Sequence, residues 1–307
     1  MRRVSCRSNW GRDQGLLLWP GRSAGDALFP DRAGGRLGLC RRHAAGAGIT
    51  RILGFLALAI FILLPLTQAV ILSFTVTLPK SGAEPGELAL ANYLAVLADP
   101  ELRAAIVNSI TYVLVNVALC LALGLPAAYA LARYSFIGDR HFLLLILVFR
   151  VTPPVVLSLP IFILFSHLGL VNSPLGIALV HCLFNLPVTI WILESFIRAV
   201  PLEYDETVFL DGWSVPAFFV RFLIPQIAPG LGVAAFFCFI FSWVEVVFAR
   251  ILTVTAGKPI TMAINAMFGF QTDIGMVMAM TCVSLVPGIA MIWIFRNHLA
   301  RGFILRT

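Results

Sequence analysis

The feature that most constrains this chain is a series of apolar runs, each long enough to cross a bilayer. Ile52 to Phe74, Ala104 to Ala132, Leu168 to Leu193, Leu223 to Val244 and Ile274 to Phe295 contain no Asp, Glu, Lys or Arg. Phe142 to Phe165 matches them except for Arg150. In lipid every backbone N–H and C=O must be satisfied within a helix or a closed barrel, and a spanning helix needs roughly 20 apolar residues. The pattern therefore predicts an all-α integral membrane protein with six transmembrane helices. The short alternating strands of an outer-membrane barrel are absent from the sequence. With 60% hydrophobic and 12% charged residues, the apolar surface exceeds what one soluble core would bury.

The formal charge of +7 resembles a nucleic-acid signal until it is located. Residues 1–51 hold ten Arg and three Asp, whereas the remainder holds twelve basic and twelve acidic residues. Basic residues that flank spans stay on the cytoplasmic side. With the N-terminus inside, the cytoplasmic set collects seventeen Lys/Arg and the outer set four (Lys80, Arg103, Arg250 and Lys258). Both termini are thus expected in the cytoplasm, and no nucleic-acid partner is expected.

Residues 1–50 are Arg-, Gly- and Ala-rich and are expected to form a disordered basic tail. Two readings stand: an arm on anionic lipid headgroups, or sequence upstream of the true start, which is the favoured one. Residues 51–307 form the transmembrane domain. Four of the six Cys lie within expected spans at irregular spacing, without a CxxC or Cys/His pattern. They read as small core residues, and no metal site is expected.

Polar groups at membrane depth are the candidates for a translocation pathway. The third span carries Arg150 together with Pro153, Pro154 and Pro160, which remove N–H donors and break or kink a helix. Arg150 either lines a pathway or snorkels to the headgroups. In the fourth span His181 and Asn185 are four apart and share a helix face; a lone His there is more often an interhelical hydrogen-bonder than a proton relay. At the end of the fifth stand Trp243, Glu245 and Arg250, read either as substrate contacts or as an interfacial Trp beside a Glu245–Arg250 surface pair. Asn265 and Gln271 complete the set.

The stretch "EYDETVFLDGWSVPAFFVRFLIP", from Glu203 to Pro225, is the most polar of the second half. Pro201 and the acidic residues Glu203, Asp205 and Glu206 mark a helix start, and Gly212 marks its end. Ser214 is the expected cap of a second short helix that ends at Pro225. Two helices joined at a Gly make a knob, with Tyr204, Val208 and Phe209 as its apolar face. The charge count places it in the cytoplasm, where such a shape suits docking into another protein.

Glu206-Thr207-Val208, Asp211-Gly212 and Phe222-Leu223-Ile224-Pro225 resemble the EAA loop of the permease subunits of binding-protein-dependent ABC importers, with both Ala of the triplet replaced. "PPVVLSLPIFILFSHLGLVNSPLGIALVHCLFNLPVTIWILESF" looks like spans three and four of the carbohydrate permeases related to the second maltose permease subunit. "APGLGVAAFFCFIFSWVEVVFARIL" and the terminal "RNHLARGFILRT" are similar to later segments of the same subfamily. The resemblance covers residues 51–307.

It implies a type I ABC importer permease with a two-helix coupling loop at residues 194–225, in a bacterial cytoplasmic (inner) membrane. The implied partners are a second, similar permease, two copies of an ABC ATPase, a periplasmic or lipoprotein binding protein, and membrane lipid. Glu206, Thr207, Val208, Asp211, Gly212, Tyr204, Phe209 and Pro225 are the residues implied to couple to the ATPase. The substrate implied is a sugar or a polyol, glycerol-like by the wording around Glu245. The nearest approach to a phosphate-binding loop, Gly257-Lys258, lacks both the leading Gly and the following Ser/Thr. The chain is therefore expected to carry no cofactor and to catalyse nothing, with ATP and Mg held by the ATPase. The alternative is an ion-coupled secondary transporter or channel working through Arg150, His181 and Glu245.

Overall fold

The structure, a computed structural model, describes residues 33–78, 85–135, 138–269 and 272–304. The chain divides into two compact units, Met1–Phe61 and Ile62–Thr307. Among the described residues the protein is helical, with one isolated antiparallel bridge between Thr75 and Leu88.

Helix α1, Ala33–Phe74, begins inside the segment read as a tail. Residues 1–32 of that segment lie outside the described residues. From residue 62 onward most of its apolar side chains, among them Leu63, Leu64 and Ile71, are exposed, as expected of a helix facing lipid, while Leu72 and Phe74 near its end are half-buried. Its end is tied to the short helix α2, Ala91–Ala98, where the buried Asn92 amide donates to the carbonyls of Ser73 and Thr75, both at 2.9 Å. Asp99 then caps α3, Pro100–Arg133, accepting from the N–H groups of Glu101 (2.8 Å) and Leu102 (3.3 Å), with Pro100 in the first turn.

The expected third span is two helices, α4 (Asp139–Val151) and α5 (Pro154–His167). The break falls at Thr152-Pro153, where consecutive prolines remove two N–H donors and push the preceding residue out of helical geometry. The fourth span is α6, Pro174–Arg198. Close approach of α3 and α6 depends on Gly124, since a Cβ there would lie 2.7 Å from Thr189 Cγ2. Ala128 and Leu193 are fully buried in the same cluster.

Helix α7 (Leu202–Leu210) is followed by α8 (Val215–Phe218), a π turn over Phe219–Leu223, and α9 (Ile224–Gln226). The expected fifth span from Leu223 instead begins at Ala228: α10, Ala228–Trp243, bends by 86° from the Val215–Gln226 segment. Pro225 and Pro229 flank that bend and supply its cause. Short helices α11 (Val247–Leu252) and α12 (Ile260–Ala266) lead to α13, Ile274–Ile304.

Among the described residues four helices are long and apolar enough to cross a membrane, and the bent pair makes a fifth. The core of Ile62–Thr307 is built mainly from α3, α6, α10 and α13.

Candidate functional site

Two regions gather the polar residues singled out by sequence. The first is the knob between α6 and α10. Helix α7 ends in a left-handed turn: Gly212 has φ +82°, its N–H donates to Phe209 O (3.0 Å), and Trp213 N–H donates to Val208 O (3.4 Å). This is the Schellman arrangement, which satisfies the last carbonyls of a helix and favours Gly because it lacks a Cβ. No atom lies within 4 Å of where a Cβ would stand on Gly212, so backbone conformation alone disfavours other residues.

The inner face of α7 packs on the bundle. Val208 is buried, Tyr204 packs against the same cluster, and the rings of Phe209 and Phe218 lie 4.8 Å apart. The outer face carries Glu206, Thr207, Asp211 and Gly212, all exposed, with Leu210 at 87% exposure and Trp213 beside Arg221. Pro225 is exposed on the following segment.

What the sequence reading missed is the anchor. Asp205, read only as an early-turn acid, is 2% exposed. Arg133, at the end of α3, donates to it through Nε (2.7 Å to Oδ2) and Nη2 (3.2 Å to Oδ1), and Tyr129 OH adds a third bond at 3.1 Å. Arg133 Nη1 also donates to Val200 O (2.9 Å), while Arg198, paired with Glu194, donates to Leu131 O (3.2 Å). The available signal was the charge count, which put Arg133 and the acidic start of α7 on the same side of the membrane.

The second region lies between α4, α5, α6, α10 and α11. Here Arg150, His181, Asn185 and Glu245 converge with Pro154 and Phe241 on a small cavity of about 30 Å³. His181 Nε2–H donates to Glu245 Oε2 at 3.2 Å, and its Nδ1 shares a hydrogen bond with Ser242 Oγ. Glu245 also accepts from the N–H groups of Phe248 (2.9 Å) and Ala249 (3.2 Å), bonding the free donors at the start of α11. Asn185 Nδ2 and Asn116 Nδ2 both approach Cys238 O, at 3.5 and 3.4 Å. The Arg150 guanidinium sits 4.4 Å above the Phe241 ring, a cation–π arrangement.

The remaining candidates are elsewhere. Trp243 is 9% exposed, stacks on Phe239 (5.5 Å between centroids) and donates from Nε1 to Ser284 O (3.0 Å), so it belongs to the packing against α13. Arg250 is exposed, and the carboxylate of Glu245 is turned to His181 rather than to it. Asn265 is exposed and donates to Thr261 O (2.9 Å), and Gln271 lies outside the described residues.

Long apolar helices, a bent helix pair and buried polar groups between helices describe a polytopic helical membrane protein that carries a two-helix knob. The chain belongs to the family of binding-protein-dependent transport system inner membrane components, whose family model matches residues 120–302. It is 29% identical over 232 residues to the trehalose transport system permease protein SugB of Mycobacterium tuberculosis, covering 74% of this chain and 85% of that one. It is 28% identical over 261 residues to the trehalose/maltose transport system permease protein MalG of Thermococcus litoralis, covering 83% and 94%. Its fold is similar to a chain of a bacterial ABC transporter involved in the import of the acidic polysaccharide alginate, with a TM-score of 0.66 and 19% identity over 88% of this chain and 99% of that one.

Proposed function

We propose that this chain is the permease subunit of an ATP-driven importer for a sugar or polyol, and that it forms one half of the translocation pathway beside a second, similar permease. The observation that carries the reading is the knob: a short helix anchored on its inner face, closed by Gly212, with Glu206 and an apolar rim of Phe209, Leu210 and Trp213 left exposed. Such a surface, rigid and partly apolar, suits a cleft on a second protein. The partner that fits is an ATPase, one of two copies in the assembly, which binds the ATP and Mg that this chain is not expected to hold.

In this reading Glu206 faces a basic group of the ATPase, and Thr207, Phe209 and Asp211 lie along the contact. Tyr204 and Val208 hold the helix to the bundle, Gly212 makes the turn, and Pro225 starts the bend into the membrane. The α4–α5 pair acts as one broken span, which with the bent pair restores six, and both termini and the knob face the cytoplasm. An external binding protein delivers the substrate. The named relatives that transport trehalose and maltose favour a carbohydrate over a glycerol-like polyol.

The test is affinity purification of the chain from detergent-solubilised membranes beside Glu206→Lys, with mass spectrometry of the co-purifying proteins. Recovery of an ATPase with a phosphate-binding loop and of a second permease, with the ATPase depleted in the variant, is expected. Recovery of the chain alone would remove the docking argument.

A further inference from the structure

We propose that Asp205, through its fork with Arg133, is a positioning residue that makes the knob and α3 move as one body. The inference rests on the coupling role given to the knob above and deepens it.

Apolar contact alone would hold α7 loosely in rotation, because burial of Tyr204, Val208 and Phe218 is non-directional. A bidentate carboxylate–guanidinium pair is directional in both distance and plane. Both oxygens of Asp205 are engaged, three bonds reach it from two residues of α3, and the side chains of Arg133 and Asp205 are only 8% and 3% exposed. The same arginine grips Val200 O just before α7, and Arg198 reaches back to Leu131 O on α3. The end of α3 and the α6–α7 connection are therefore cross-linked in both directions.

Helix α3 has 34 residues and is about 50 Å long, with Pro126 two turns before Arg133, so a tilt imposed at Arg133 acts first on the part of α3 that packs on α6 around Gly124 and Ala128. α3 also packs extensively on α6, so the displaced body includes both helices. In contrast Glu206, the next residue, is exposed and takes no part in the anchor. Adjacent acids thus divide the work: Glu206 meets the partner, and Asp205 passes its motion inward.

The test uses the full chain co-purified with its partner permease and ATPase, with native cysteines replaced by alanine. Spin labels are placed at Glu203→Cys in α7 and Leu123→Cys in α3, both exposed positions. Pulsed EPR distances are read without nucleotide and after trapping with ATP and vanadate. The unsubstituted anchor is expected to give one narrow distribution, unchanged by trapping. Asp205→Asn is expected to lose that narrow distribution while the ATPase remains bound and turns over ATP, and Asp205→Glu is expected to restore it.

A narrow distribution in Asp205→Asn overturns the proposal, as does a distance that changes on trapping with the anchor intact. If Asp205→Asn does not assemble, Arg133→Lys keeps the charge and removes the bidentate fork; broadening supports the proposal and an unchanged distribution overturns it. Absence of an ATPase from the unsubstituted preparation is the separate result that sinks the coupling role itself, and this inference with it.

Discussion

The knob and the membrane-depth cluster are both polar islands in an apolar chain, yet they use their charges in opposite ways. In the knob a full ion pair is buried under the inner face, and the neighbouring acid and apolar side chains are left outside. In the cluster the groups are spent on one another. Glu245 accepts from His181 and from the start of α11, Ser242 completes His181, and Arg150 lies on an aromatic face with little open volume. The first arrangement keeps a surface available at the cost of a buried charge pair. The second satisfies polar groups where water is scarce, the usual condition for a polar residue within a bilayer.

The largest effect expected is at the anchor. Asp205→Ala leaves Arg133 nearly buried without a counter-charge and should destabilise the protein by about 3–5 kcal/mol, seen as a lower thermal midpoint in nanodiscs. Replacing both partners with Leu should recover most of that loss, because the desolvation cost of the pair disappears with it. If the double variant is as unstable as the single one, the pair is more than a matched charge.

Next is Glu245→Ala, which strips the start of α11 and the His181 partner together. A cost of about 1–3 kcal/mol is expected, with faster amide exchange at Phe248 and Ala249, and Glu245→Gln should lie between. Exchange unchanged in the Ala variant would mean that α11 does not depend on the cluster, and the contrast with the knob would fail.

Gly212→Val forces a β-branched residue to φ +82° and should cost about 1–2 kcal/mol, while Gly212→Asn should cost less. Because the Schellman turn orients the exposed face, recovery of ATPase with the Val variant should fall further than its thermal midpoint suggests. The smallest effect belongs to Arg150→Lys, which loses the planar stack on Phe241 and should cost about 0.5–1 kcal/mol. A much larger loss would mean that the planar guanidinium makes hydrogen bonds that an ammonium cannot replace.

The break of the third span was legible because Pro153-Pro154 acts through local backbone geometry, and the end of α7 was legible because Gly212 does too. The start of the fifth span was not: Leu223 to Gln226 is uncharged like the helix after it, so hydropathy could not separate a π turn and an 86° bend from a continuous helix. Convergence of Arg150, His181, Asn185 and Glu245 was partly legible, since the first three were chosen as polar groups at membrane depth and Glu245 as a candidate at the end of the fifth span. That Trp243 would turn to Ser284 was not, because adjacent residues on one helix face different neighbours only once those neighbours are placed.

By itself, then, the sequence determined that the chain is built of apolar helices long enough to span a membrane, and that a short helix ended by Gly212 interrupts them, although Ser214 makes none of the side-chain capping bonds expected of it. These follow from run length, proline and glycine, whose effects act within a few residues. Only the tertiary structure decided that Asp205 rather than Glu206 is buried, that Arg133 holds it from 72 residues away, and that Glu245 is turned to His181. Such pairings depend on which helix faces meet, and that is set by packing, as where Gly124 lets α3 approach Thr189 of α6.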